Sequence, residues 1–400
     1  MNEKKISFEE VLRSAEQGDV SSQYDVAILY DIGTGVGENK AEAFKWYRRA
    51  AEQGHAKAQC NLGLCYMNGV GTNPDKNEAA IWFRRAAEQK DALAQYYMGD
   101  CYSQGDGVAA DAREAVKWYT LAAEQGYMLA QCNLGNCYAN GRGVSKDMKA
   151  AVKWYLKAAE QGDALAQYNL AQCYVTGEGI GANPVEGAKW FRRAAMQGHA
   201  GAQYGLGTCY IHGIGVKRDK TEAARWFRKG AEGGDVSAQY SYGNCCYRGD
   251  GIKKNNAEAA KWYLRAAEQG DAEAQYNIAV FYAEGVGVET DKTEAAKWFL
   301  KAAEQGEPDS QFKAGYCFIL GEGVEQDVTK AIEWFRRAAE QNHAGAQHVL
   351  GLCYAEGEGV PQNRQEALKW LRKFAAQGYE PARESLSEME QLFDGSKFPI

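Results

Sequence analysis

The sequence predicts an all-α protein, an array of antiparallel helix pairs that repeats every 36 residues. Three observations carry that reading. All ten tryptophans share one spacing: Trp46, Trp82, Trp118, Trp154, Trp190, Trp226, Trp262, Trp298, Trp334 and Trp370. A Gly-x-Gly pair recurs in every copy, from Gly33 and Gly35 to Gly357 and Gly359. A column of ten Asp or Asn residues, from Asn39 to Asn363, precedes each tryptophan stretch. A fixed period means that each unit buries its apolar face against its neighbours, so no linker is expected between residues 19 and 378.

The chain opens with residues 1–18 as a lone capping helix. Ser7 and Glu10 are placed for a capping box, and Glu10 stands where later copies carry tryptophan, a polar change that suits a solvent-facing end. Ten repeats fill residues 19–378. In each, a first helix (helix A) is exemplified by MLAQCNLGNCYA, whose Ala130, Leu134, Cys137 and Tyr138 fall on one helical face. Its end is marked by the Gly-x-Gly pair, since glycine supplies the left-handed backbone of a helix C-cap and tight turn.

The second helix (helix B) starts at the Asp/Asn column, the best N-cap residues. Glutamate follows three positions later in eight of the ten copies, which predicts capping boxes. Pro184 directly follows its cap, at the position where proline is tolerated. Helix B ends at a glycine column that holds Lys90 and Asn342 in two copies; a left-handed backbone is expected there, with mild strain at Lys90. Small residues have fixed places too. Alanine recurs from Ala51 to Ala375, and Gly63, Gly99, Gly135, Gly207, Gly243, Gly315 and Gly351 sit in mid-helix A. A mid-helix glycine costs roughly 1 kcal/mol against alanine, so its repetition implies close helix approach with large aromatic knobs opposite. Residues 379–400 read as a closing capping helix, with Glu390 at a tyrosine position, and a tail DGSKFPI expected to fray.

Composition narrows the function. The 400 residues are 45% apolar and 25% charged, with net charge -7 and a pI of about 5.5. A nucleic-acid protein would show a basic balance or stripe. No apolar run of about 18 residues predicts a membrane span, and the N-terminal MNEKKISFEEVLRSAEQGD lacks the apolar core of a signal peptide. A cytoplasmic address is therefore expected. Eight of the eleven cysteines share one helix A column: Cys65, Cys101, Cys137, Cys173, Cys209, Cys245, Cys317 and Cys353. They read as reduced, packed hydrophobes. A disulfide needs Cα atoms about 4.4–6.8 Å apart, and packed helix axes already lie about 8–10 Å apart. His55, His199 and His343 share a helix A cap column but lie four repeats apart, so they cannot gather at one metal. The Gly-x-Gly pairs follow helices and lack the Gly-Lys-Ser/Thr of a phosphate loop. Ser310 and Lys313 form a lone Ser-x-x-Lys without its companion motifs. No catalytic, cofactor-binding or metal residue is predicted. A glutamine recurring from Gln23 to Gln347 adjoins the core stripe and is read as an inter-helix hydrogen-bond ladder.

The unit DALAQYNLAQCYVTGEGI…EGAKWFRRAAMQG resembles the Sel1-like repeat, a relative of the tetratricopeptide repeat. The shared motif is AQ-x-x-L-G-x-x-Y-x-x-G-x-G, then E-A-x-K-W-[YF], then AAEQG. The resemblance implies an α-solenoid, a right-handed superhelix used as an adaptor between proteins, and it implies no reaction. A disulfide-stapled branch of that family carries two cysteines per repeat; this chain usually has one and departs from that pattern.

In tetratricopeptide-like solenoids helix A lines the inner wall, so by resemblance the variable helix A columns line a groove. The expected partner-binding residues are Tyr97, Asp100, Asn133, Asn136, Asn169, Gln172, Thr208, Asn244, Asn277, Lys313 and Tyr316. Their amides suit a peptide backbone. The expected function is a non-catalytic protein–protein interaction scaffold that takes a peptide or partner helix along this concave surface. The alternatives are a secreted or host-directed Sel1-like effector or envelope factor and, further off, a hydrolase of the β-lactamase-like type.

Overall fold

The computed structural model describes residues 7–378 and 380–393, and among these all regular structure is helical. Two compact units divide the chain, Met1–Gln197 and Gly198–Ile400. The first holds α1 (Phe8–Glu16), α2 (Val20–Ile32), α3 (Lys40–Glu52), α4 (Ala56–Asn68), α5 (Lys76–Glu88), α6 (Ala92–Gln104), α7 (Ala112–Glu124), α8 (Met128–Asn140), α9 (Met148–Glu160), α10 (Ala164–Thr176) and α11 (Pro184–Met196). The second holds α12 (Ala200–His212), α13 (Lys220–Glu232), α14 (Val236–Arg248), α15 (Asn256–Glu268), α16 (Ala272–Glu284), α17 (Lys292–Glu304), α18 (Pro308–Leu320), α19 (Val328–Glu340), α20 (Ala344–Glu356), α21 (Arg364–Ala376) and α22 (Glu380–Phe393). Within each unit consecutive helices pack on one another, the pattern of an α-solenoid. The tail DGSKFPI lies outside the described residues.

The helix ends follow the sequence closely. In α3 to α21, every helix B has its Asp or Asn N-cap, and the side chain accepts a backbone N–H two or three residues on, as Asp111 does from Arg113 and Glu114. The expected capping boxes are corrected. Among the described residues, only α1 closes both arms, between Ser7 and Glu10. In the repeats the glutamates run along the helix instead. Glu42, Glu114 and Glu186 pair with the lysine three residues on, and Glu78 and Glu258 accept from the indoles of Trp82 (3.1 Å) and Trp262 (2.8 Å). An Asx cap already satisfies the N3 amide, and these partners compete for the returning carboxylate. Lys90 and Asn342 take φ of 68° and 65°, the left-handed region expected of that column.

Packing explains the small residues. A Cβ on Gly135 would stand 2.6 Å from the Tyr155 ring, and one on Gly63 would stand 2.6 Å from the Phe83 ring. The knob of helix B therefore seats directly on helix A. The second glycine of the turn makes a different contact: a Cβ on Gly143 would lie 2.1 Å from the carbonyl oxygen of Ala112, the first residue of the preceding repeat's helix B. A basic residue of the same helix covers the tryptophan ring in most copies, with Arg49 at 4.4 Å over Trp46 and Arg193 at 4.2 Å over Trp190. The basic positions on helix B thus shield aromatic faces as well as pairing with glutamates.

The glutamine column forms the expected ladder. Gln131 is buried; its Nε2 donates to the carbonyl of Ala123 (3.1 Å) on the preceding helix, and its Oε1 accepts from Gln161 Nε2 (2.8 Å) on the following one. The same pair of bonds recurs at Gln23, Gln59, Gln95, Gln167, Gln239, Gln275, Gln311 and Gln347. Each glutamine ties three helices together. Within the second unit, position 233 carries glycine where the other copies place the donor glutamine.

Candidate partner-binding surface

Helix A carries the variable columns, and the structure places them beside the core rather than clear of it. Tyr97, Asp100, Asn133, Asn136, Asn169, Thr208, Asn244 and Asn277 are half-buried, whereas Gln172, Lys313 and Tyr316 are exposed. Several are engaged within the fold. The hydroxyls of Tyr119, Tyr155 and Tyr263 donate to Asp100 (2.6 Å), Asn136 (2.7 Å) and Asn244 (2.8 Å) of the same repeat. Asn133 and Asn169 reach back one repeat, to Asp100 (3.4 Å) and Asn136 (3.1 Å). Asn277 donates to the Tyr240 hydroxyl at 3.5 Å, and Gln172 to the Tyr168 hydroxyl at 2.7 Å. Tyr97 stacks on buried Phe83, with centroids 4.9 Å apart.

Part of the variation therefore has an internal cause. Helix B carries tyrosine at 47, 119, 155 and 263; for the last three helix A supplies an acceptor nineteen residues earlier, whereas Tyr47, with Ile28 at that place, donates to Asp31 (3.2 Å) instead. Where helix B carries phenylalanine, at 83, 191, 227, 299 and 335, the same column is free to hold Leu64, Gln172, Thr208, Val280 or Tyr316. Apart from the first copy, this covariation is visible in the sequence once helix B is compared copy by copy with helix A.

Three clefts open beside these residues. Asp100, Asn133 and Asn136 line one of about 200 Å³ with Asn140 and Arg142. Asn136, Asn169 and Gln172 line an adjoining one of about 460 Å³ with Thr176 and Glu178. In the second unit Lys313 and Tyr316 line a third of about 340 Å³ with Val280 and the exposed Leu320. The internal bonds orient the floor. Asn136 Oδ1 accepts from Tyr155 and Asn169, which leaves its NH2 group for the cleft. Asn133 and Asn169 use their NH2 groups internally, which leaves their carbonyl oxygens.

Electrostatics single out Asp100. Burial raises its carboxyl above the usual range, opposed by the hydroxyls of Tyr119 and Tyr96. The cysteines are buried, and burial pushes their thiols up, to about 11 at Cys65 and Cys209 and about 12 at Cys101 and Cys245. His55, His199 and His343 each act as the N-cap of their own helix, Nδ1 accepting from Ala58 (3.1 Å), Ala202 (3.1 Å) and Ala346 (3.0 Å). Among the described residues no three His, Cys, Asp or Glu side chains gather as a metal site. Ser310 is fully buried and Lys313 exposed, so the Ser-x-x-Lys pair does not converge. No described helix is long and apolar enough to cross a membrane.

Comparison with known proteins agrees with the geometry. The Sel1 repeat family model matches ten stretches between residues 20 and 379, the first 20–55 and the last 344–379. The solved structure of c5321, a protective antigen of uropathogenic Escherichia coli strains displaying an SLR fold, is 33% identical, with 97% of this chain and 91% of that chain covered and a TM-score of 0.66. A Sel1 repeat protein from Oxalobacter formigenes is also 33% identical, with 77% and 90% covered and a TM-score of 0.60. No curated protein is similar enough to match.

Proposed function

The chain belongs to the Sel1 repeat family, whose members serve in general as protein-interaction scaffolds without catalysis, and from that premise we propose that it is an adaptor binding an extended peptide or partner helix along the helix A face. One observation carries the reading. The adjoining clefts between α6, α8 and α10 are lined in part by residues that differ between repeats, while the Asp/Asn caps, the Gly-x-Gly turns and the buried glutamines recur. A scaffold keeps its stacking parts constant and places recognition in what varies. The contact set is Tyr97, Asp100, Asn133, Asn136, Asn169 and Gln172 in the first unit, and Thr208, Asn244, Asn277, Lys313 and Tyr316 in the second. Residues 1–18 and 379–400 cap the array in this reading, and the site of action is the cytoplasm.

Tyr97 is a poor probe, because its truncation also strips a buried ring of its stacking partner. Gln172→Ala with Asn169→Ala is cleaner. The pair should weaken a captured partner by roughly 1–4 kcal/mol with little change in melting temperature. Wild-type affinity in that variant, with loss on changing the outer face of helix B, would overturn the groove assignment.

A second reading, an exported Sel1-like factor, draws on the similarity to c5321, a protective antigen. Fractionation of the source cells separates the two: protein outside the cytoplasm supports export.

A further inference from the structure

We infer that the cleft in front of Asp100 seats a cationic side chain, a lysine or arginine of a bound peptide. The inference rests on the peptide-binding reading above and names what the peptide must carry. At Tyr119, Tyr155 and Tyr263 the fold needs an acceptor for a tyrosine hydroxyl. A neutral amide meets that need at Asn136 and Asn244. At position 100 the same role is filled by a carboxylate, which costs desolvation that asparagine would avoid. Packing therefore accounts for an acceptor at this position and leaves the charge unexplained.

The surroundings leave that charge open to a partner. No cation of the described residues pairs with Asp100. Arg142 shares the cleft, but its guanidinium donates to the carbonyl of Ser103 at 2.7 Å. Tyr119 and Asn133 both bind Oδ1, and Tyr96 supplies a further hydroxyl. The cleft of about 200 Å³ has room for the head of one side chain. A cation there would regain the Coulomb attraction that the fold leaves unused, strengthened by the partly desolvated site. The ring of Tyr97, one turn earlier on α6, adds an aromatic face nearby. The carbonyl oxygen of Asn133 lines the same cleft, and that of Asn169 the adjoining one, as acceptors for peptide N–H groups.

The test uses the full chain and a phage-displayed library of random linear peptides. Selection on the wild-type protein should enrich peptides with lysine or arginine at one fixed position. Their affinity should fall at least tenfold for Asp100→Asn, while the melting temperature of that variant stays equal or rises. Exchanging the enriched basic residue for glutamine should cause the same loss on the wild type and no further loss on Asp100→Asn. Peptides that depend on Asn169 and Gln172 but bind Asp100→Asn as well as wild type would overturn the cation seat and keep the groove. Selected peptides indifferent to all of these changes, or no enrichment at all, would overturn both.

Discussion

Replacing Gln131 by methionine tests the ladder that joins the repeats. Methionine keeps the straight chain and approximate volume and removes both polar ends. Two bonds disappear: the one to the Ala123 carbonyl at 3.1 Å and the one from Gln161 at 2.8 Å. Neither partner is stranded. The Ala123 carbonyl keeps the N–H of Gly126 at 3.0 Å, and Gln161 Nε2 keeps the carbonyl of Gly126 at 3.1 Å. The cost is therefore two net hydrogen bonds at about 1 kcal/mol each, without the larger penalty for an unsatisfied buried group. Apolar burial by methionine offsets part, leaving an expected loss of about 1–2 kcal/mol. Urea unfolding followed by far-ultraviolet circular dichroism reads this as a lower midpoint at unchanged slope. Gln161→Met removes one of the same bonds, so the double variant should lose about 1 kcal/mol less than the sum of the singles. A neutral or stabilising Gln131→Met, or strict additivity, would refute the claim that this amide couples neighbouring repeats.

Other consequences follow from buried groups. Ser310 carries a fully buried hydroxyl with no partner, where Ala274 and Ala346 hold the equivalent sites, so Ser310→Ala should raise stability by about 1 kcal/mol in the same urea assay. His55 caps α4 through an unprotonated Nδ1, and burial lowers its pKa. A lowered histidine pKa adds stability that is present above the ordinary value of about 6.5 and is lost as pH falls through the folded pKa. Melting scans from pH 7.5 to 5 should therefore show an acid loss that is smaller in His55→Asp, since Asp91 and Asp163 cap equivalent helices; an identical loss would contradict this. The buried, raised thiols should react slowly with a disulfide reagent at pH 8, and all eleven should react once the chain is unfolded. Rapid native labelling, or fewer than eleven thiols after denaturation without reductant, would contradict that.

The fold was legible because each cue repeats in register. A single Asp before an apolar stretch is a weak start signal, whereas Asn39, Asp75 and Asp111 at one spacing are a strong one. The knobs were legible as well, since Gly63 and Gly135 make sense only against a large opposing ring. The return arm of the capping box was misread, because Glu78 reaches an indole and Glu114 a lysine about as easily as its own cap. The surface was harder to read. The variable helix A columns, expected to line a groove, also serve the packing at Asp100, Asn136 and Asn244, each of which accepts the hydroxyl of a helix B tyrosine. That link crosses two helices and shows only when the columns are compared in pairs. Partner identity is not legible, because recognition depends on the chemistry of a second molecule.

Site-specific photo-crosslinking in the source cell addresses the adaptor claim most directly. A photoreactive residue at Gln172 or Lys313, both exposed beside clefts on helix A, is set against one at Lys45 or Lys261 on the outer face of helix B. The helix A positions should crosslink to the same discrete protein partner and the helix B positions should not. Crosslinks formed only from helix B, or equal nonspecific labelling from all four positions, would contradict it.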